Sequence, residues 1–460
     1  MIHEIPYRDP LQLFALFAEQ QSALLLDSAQ LRTHSGRYSF IALDPFLTLE
    51  SKNGLIKLND EVFFGDPFEV LEQQLAVFSQ QNEAGLPPFQ GGAAGFFSYE
   101  LSHHLENLPR HSADDMQFPD MALGFYDLVI GFDHLEKRAW IFSNGFPEKN
   151  TAKREVRAQE RLTALLKQIT YAQDILPFMP IELDEKNIQS NFTASNYQEA
   201  VQKVKNYILA GDIFEANISQ RFRAELPADF NPFNLYRILR SINPASFAAY
   251  VNLADTILVS ASPERFLLLT DRQIETRPIK GTRPRSQNVE EDKRLAAELL
   301  ASEKDHAENV MIVDLMRNDL SRVCEDHSVK VSQLCGLESY ATVHHLVSVI
   351  TGHLKKNLTA VDLLRATFPG GSITGAPKIR SMEVIAEIEP TARGPYCGSV
   401  GYIGFNGDMD TSITIRTFAI KNNIAVFQAG GAVVMDSDPL EEYEETLIKA
   451  RALRRSLVGV

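Results

Sequence analysis

Strand-like segments follow one another along this chain with no helix set regularly between them. Short runs rich in β-branched and aromatic residues occupy 24–26, 38–43, 91–97 and 128–132, punctuated by Gly and Asp-Pro turns. Similar runs recur at 218–222, 248–252, 257–260 and 266–269. Parallel strands need a long crossover, usually a helix, between each pair, and that alternation is missing here. The pattern therefore predicts an α+β fold of packed, mostly antiparallel sheets with helices on their outer faces. Helical periodicity marks 151–169, 195–210 (closed by Gly211), 290–302, 304–316 and 440–457. A polar stretch at 171–191 with Pro177, Pro180 and several acids reads as a linker. At 460 residues the chain exceeds the size at which one core stops growing. The expected division is an N-terminal domain over 1–170, a linker over 171–192 and a catalytic domain over 193–460.

Charge narrows the function classes. A formal net charge of −15 argues against binding nucleic acid or an anionic membrane, and it obliges any anionic substrate to find a locally basic pocket. Three cysteines, Cys324, Cys335 and Cys397, suit a reducing compartment and neither a disulfide framework nor a zinc site. The opening MIHEIPYRDP lacks a signal-peptide pattern, and no apolar run is long enough to span a bilayer, so a cytoplasmic protein is expected.

Three constellations can carry chemistry. In KDHAENVMIVDLMRN, Asp305 and Glu308 share a helix face, and in EEYEETLIKA so do Glu442 and Glu445, with Lys449 one turn beyond. Two such faces brought together suit Mg²⁺, which needs only one or two carboxylates plus water and substrate oxygens. The glycine-rich PGGSITGAPK matches half of a phosphate loop, but Ala376 and Pro377 stand where lysine and hydroxyl belong, so it reads as a turn shaping a small-molecule site. Gly430 and Gly431 could present backbone N–H groups to a carboxylate or mark a bulge, and Arg416 could supply a bidentate fork. In SASPERF and ETRPIKGT, Glu264 and Lys280 lie on successive strand-like segments joined by a turn near Asp271 and Arg272. An apolar pocket would raise the Glu264 pKa and suit it to act as an acid. Desolvation, or the neighbouring Arg277 and Arg283, would lower that of Lys280 and suit it to act as a nucleophile. His344 and His345 are adjacent, so on a strand at most one lines a given pocket.

These motifs, with HHLVS, GYIGF, DTSITIRT and AGGAVV, resemble the chorismate-utilising enzymes in content and order, densely from 191 to 457 and more loosely upstream. That family includes anthranilate synthase component I, isochorismate and salicylate synthases, and aminodeoxychorismate synthase component I. The resemblance implies a four-layer αββα architecture and a Mg²⁺ site of Glu308 and Glu445, with Asp305 and Glu442 as outer partners. It implies Glu264 as the acid that protonates the hydroxyl leaving ring carbon 4. Arg416, Gly430, Gly431 and Lys449 would hold the substrate carboxylates, with Tyr402, Thr374 and His345 lining the site. It further implies a tryptophan site near Ser28, Tyr38, Asn243, Pro244 and Phe247.

Two positions separate the family's reactions. Members that add water have a base lysine at the place of Glu215 and alanine at that of Lys280; anthranilate synthases also carry alanine at the second. Lys280 matches the aminodeoxychorismate pattern, whereas Glu215 departs from it, since glutamine is expected in an ammonia user. The implied activity is conversion of chorismate and ammonia to 4-amino-4-deoxychorismate through a covalent Lys280 intermediate, for 4-aminobenzoate and folate. No Gly-x-Cys-x-Gly segment is present, so a separate glutamine amidotransferase subunit is expected to supply ammonia. The alternatives are anthranilate formation, isochorismate formation and a non-catalytic tryptophan sensor.

Overall fold

The computed structural model describes residues 1–30, 36–170, 177–339 and 343–459; residues 171–176 of the expected linker lie outside the described residues. Two twelve-stranded sheets dominate it, and every strand pair within them is antiparallel. The first sheet joins strands from residues 2–143 to strands from 189–433 where Leu24–Asp27 pairs with Phe247–Leu253. The second is joined in the same manner where Gly92–Phe97 pairs with Ser399–Gly404. Each sheet thus takes strands from both sides of residues 171–192.

Side-chain alternation fixes which faces meet. On Phe247–Leu253, Ala249, Val251 and Leu253 join Phe40, Phe96 and Tyr402 in a core between the sheets, while Ala248 and Tyr250 point the other way. A slip of one residue would exchange those faces, so burial sets the register. Helices Thr151–Thr170, Pro232–Ile242 and Pro439–Val458 cover the first sheet through residues such as Leu162, Leu239 and Leu453. Helices Pro67–Val77, Glu303–Ser321 and Ala360–Thr367 cover the second through Phe68, Ile312 and Leu364. The four layers are helix, sheet, sheet, helix. Four helices begin with one device: Asp9, Asp66, Asn231 and Asp438 accept backbone N–H bonds in the first turn, and the next residue is Pro10, Pro67, Pro232 or Pro439. Proline there gives up an N–H that would have no partner. Among the described residues, no helix is long and apolar enough to cross a membrane.

Two stretches of chain pass from one sheet to the other side by side. Thr256–Ser262 belongs to the first sheet and Arg265–Thr270 to the second; Met409–Ile413 belongs to the second and Thr417–Lys421 to the first. The crossings are tied together, with Ser262 Oγ donating to the Ile413 carbonyl at 2.6 Å and Ile413 N–H donating to the Glu264 carbonyl at 3.1 Å. Glu264 stands in one crossing and Arg416 in the other.

Candidate active site

Glu264 and Lys280 meet at the open end of a hairpin. Arg265–Thr270 pairs with Gln273–Thr276 around the left-handed turn residues Asp271 and Arg272, and the register Leu268↔Glu275 continued outward sets Glu264 opposite Ile279. That register brings the Ile279 backbone N–H near enough to the Glu264 carboxyl to pull its pKa down. Lys280 itself is on Ile279–Pro284, which pairs with Val343–His353, so it approaches Glu264 from a strand outside the hairpin.

Glu264 is a buried carboxyl whose Oε1 accepts from Ser372 Oγ at 2.7 Å. Burial pushes its pKa up to about 7, against the opposing pull of Ser372, Lys280 and Lys449. It therefore holds a proton up to near neutrality, as a general acid must. Ser372 sits within PGGSITGAPK, the loop expected to shape the site, and nothing in the motif marks the serine itself.

Lys280 is buried, and its Nζ donates to Glu215 Oε1 at 2.8 Å. Burial favours the neutral amine, but Glu215, Glu308 and Glu264 together outweigh it and raise the lysine pKa. This corrects the expectation of cationic neighbours. Arg277 is drawn to Glu338, and Arg283 to Glu298 and Asp305 at 2.9 and 3.2 Å, so both guanidiniums are engaged by carboxylates of their own. The lysine environment is a ring of carboxylates.

The two acidic faces converge on the same region. Burial pushes Glu308 up to about 7, with Lys280 opposing. Glu442 Oε1 accepts from Ser437 Oγ at 2.7 Å, and burial raises its pKa. Burial acts likewise on Glu445, but Lys449, ion-paired with it, prevails and brings the pKa below the usual value. Lys304, one turn before Glu308, acts electrostatically on Glu308, Glu442 and Glu445 together. Among the described residues no three His, Cys, Asp or Glu side chains form a complete protein cage. The donors instead suit a hard cation that keeps waters and takes one or two carboxylates. Glu442 Oε2 is buried without a partner among the described residues, and a Cβ on Gly431 would stand 3.0 Å from it and 3.3 Å from Glu445 Oε1. Asp305 is engaged by Arg283 and packs on Gly281, where φ is +76° and a Cβ would stand 3.0 Å from the Asp305 Cβ.

The remaining candidates separate into two places. Gly430 and Gly431 lie in an unbroken ladder opposite Ser219 and Ile218, without a bulge, and the Gly430 carbonyl accepts from Lys449 Nζ at 3.0 Å. Successive N–H groups on a strand point to opposite sides, so at most one of the pair faces a ligand. Arg416 has a left-handed backbone (φ 55°) and, among the described residues, no side-chain hydrogen bond or ion pair; burial lowers its pKa. That leaves a guanidinium free for an anion. Thr374 is buried and donates to the Gly370 and Gly371 carbonyls, which shapes the loop behind Ser372. His345 meets Thr282 Oγ1 at 2.9 Å, two residues beyond Lys280, while His344 turns the other way to Ser339 and Asp292.

Tyr402 belongs elsewhere. Its ring stacks on Phe89 at 4.4 Å and lines a cavity of about 560 Å³ between the sheets, with Ser28, Tyr38, Phe40 and Phe247. Polar groups enter that cavity from Arg265, Asp410 and Glu275. Asn243 follows a helix end and Pro244 is exposed; neither is among the described residues that line it.

One residue outside the candidate motifs holds the site together. Arg393 is wholly buried, paired with Glu389 at 2.7 Å, and it donates to the Asn217 carbonyl at 2.6 Å and the Ile373 carbonyl at 3.1 Å. Those carbonyls lie two residues after Glu215 and one after Ser372. A single guanidinium thus spaces the strand that reaches Lys280 and the loop that reaches Glu264. A lone arginine in TARGPY carries no local sign of this.

The sequence profile of the chorismate binding enzyme family matches residues 21–455. Aminodeoxychorismate synthase component 1 of Bacillus subtilis (strain 168) is 38% identical over 468 residues, covering 99% of this chain and 96% of that protein. Anthranilate synthase component 1 of Acetivibrio thermocellus is also 38% identical, over 97% of this chain and 92% of that protein. The crystal structure of anthranilate synthase component I from Streptococcus pneumoniae TIGR4 superposes with a TM-score of 0.80 at 34% identity, over 93% of this chain and 94% of that one.

Proposed function

Because the chain belongs to the family of chorismate binding enzymes, we propose that it replaces the hydroxyl at ring carbon 4 of chorismate with an amino group. The product is 4-amino-4-deoxychorismate, a precursor of 4-aminobenzoate and folate. The observation that carries this reading is the buried Lys280 amine within electrostatic reach of Glu264, a buried carboxyl whose pKa is pushed up to about 7. Glu264 gives its proton to the departing oxygen while Lys280 bonds to carbon 2 as the ring double bonds shift. Ammonia then bonds to carbon 4 and expels the lysine, so one difficult displacement becomes two easier ones. Arg416, which makes no side-chain hydrogen bond or ion pair among the described residues, offers a bidentate fork to a substrate carboxylate. Glu308 and Glu445, with Glu442 behind them, are the residues that would hold Mg²⁺, and the ion when bound would neutralise the ring carboxylate. Ammonia comes from a separate glutamine amidotransferase subunit.

Product analysis of the full chain with chorismate, Mg²⁺ and ammonium tests this reading. 4-Amino-4-deoxychorismate without pyruvate is expected, turned into 4-aminobenzoate only when a lyase is added. Fluorescent anthranilate with pyruvate would establish the anthranilate reading instead, and isochorismate formed without ammonia the hydration reading.

Two further outcomes are expected. The Ser372 hydroxyl holds the Glu264 pKa down, so Ser372→Ala is expected to move the alkaline limb of the pH–rate profile upward. The inter-sheet cavity is the proposed place for tryptophan, a slot lined by aromatic and aliphatic side chains with charged groups from both sheets, within the usual size of a small-ligand site. Tryptophan at a hundredfold excess over its Kd is expected to stabilise the fold by about 2.7 kcal/mol, read as a raised Tm. Phe247→Ala is expected to remove that gain.

A further inference from the structure

Glu215 is a buried carboxylate with no part in the steps above. It opens the strand Glu215–Glu225, pairs with Ala376, and has its backbone carbonyl fixed by Ser381 Oγ at 2.8 Å. Oε1 accepts from Lys280 Nζ, and Oε2 is buried with no hydrogen-bond partner among the described residues. A buried polar atom left unpaired is costly and calls for an explanation. Beside it, Lys280 must lose a proton before it can react, because an ammonium has no electron pair with which to attack carbon 2. The charged groups that act on its Nζ are Glu215, Glu308 and Glu264, with Glu445 near the same region on the last helix. The nearby cations Lys304 and Lys449 act chiefly on the carboxylates. Only Glu215 touches the amine: among the described residues no ion pair joins Lys280 to Glu308, Glu445 or Glu264.

We propose that Glu215 is the base that takes the proton from Lys280 Nζ before the amine attacks and returns it after the lysine is expelled. The inference rests on the covalent reading above. Water driven out by chorismate removes the solvation on which an ion pair depends, whereas a neutral amine beside a neutral acid needs little. The protons then balance. Glu215 takes one proton, the Nζ–C2 bond forms, the C4–O bond breaks, and Glu264 protonates the oxygen, which leaves as water. In the second half ammonia forms the N–C4 bond and the C2–Nζ bond breaks, its electron pair returning to Lys280. The new ammonium group passes one proton to Glu264, and Glu215 returns its proton to Lys280. Both acids end as they began, and the net change is chorismate plus ammonia to aminodeoxychorismate plus water. Glutamine, the residue expected here in an ammonia user, would keep the hydrogen bond and accept no proton, but it would not hold the lysine as an ammonium; the carboxylate of this chain does, and so must take the proton back.

The test is Glu215→Gln in the full chain, assayed with chorismate, Mg²⁺ and ammonium. The inference expects kcat to fall by roughly 10²- to 10⁴-fold, the usual contribution of a general base. Chorismate binding by equilibrium dialysis should stay within a few fold, and no adduct should accumulate on Lys280 when ammonia is withheld. Wild-type kcat, or an adduct that accumulates at the wild-type rate, would overturn it. Should this variant fail to fold, formate added to Glu215→Ala decides: at least tenfold rescue supports the proposal and no rescue refutes it. Lys280→Ala separates the two levels. If it keeps full activity, the covalent reading falls; if it is inactive while Glu215→Gln is not, only the role of Glu215 falls.

Discussion

Lys280→Ala is expected to cut formation of 4-amino-4-deoxychorismate by roughly 10³-fold or more, as removal of a covalent nucleophile does in other enzymes. Intact-protein mass spectrometry without ammonia should show a chorismate-derived adduct on the wild-type chain and none on the variant. The substitution also strands Glu215 inside the protein without its cation. Breaking one side of a buried pair is commonly destabilising by about 3–5 kcal/mol. Lost activity alone is therefore ambiguous, and Lys280→Ala combined with Glu215→Gln removes the ambiguity. That double variant should recover most of the lost Tm and none of the activity. Full amination by Lys280→Ala, with no adduct on any lysine, would refute covalent catalysis.

Glu264→Gln is the second large effect, expected to lower kcat by roughly 10²- to 10⁴-fold while chorismate still binds. The wild-type pH profile carries the same information. Burial raises the Glu264 pKa to about 7, so the proton-donating form dominates below that value and is lost as pH rises through it. With free ammonia held constant, kcat should fall on the alkaline side of about pH 7, and that limb should be absent from Glu264→Gln. A flat profile through neutrality would mean that some other group protonates the leaving oxygen.

Much of this was legible in the chain because the signals are local. Alternating burial and tight turns foretold antiparallel sheets, and the helices at 195–210, 290–302 and 440–457 end within about two residues of those observed, the usual scatter of helix ends. The strands Lys330–Ser339 and Val343–His353 escaped notice, since they carry polar residues and bulges and are held by pairing with distant segments. The same division holds at the site. Asp305 with Glu308, and Glu442 with Glu445, share helix faces that spacing alone reveals. The contact of Lys280 with Glu215 spans 65 residues, and no local pattern announces it. Sequence neighbours misled instead: Arg277 and Arg283 are close in the chain but are held by carboxylates of their own. Tyr402 sits among motifs of the site, yet strand alternation turns its ring to the opposite cavity.

The sharing of both sheets by early and late strands bears on how the chain is made. Leu24–Asp27 waits for Phe247–Leu253, and Gly92–Phe97 waits for Ser399–Gly404, the second gap spanning about three hundred residues of synthesis at 5–20 residues per second. For that interval the nascent chain carries unpaired strand edges, a ready template for pairing with other chains. Contacts so distant along the chain also slow the search for the native pairing. Yield in expression should therefore depend on chaperone supply and temperature more than the final stability of the protein would suggest.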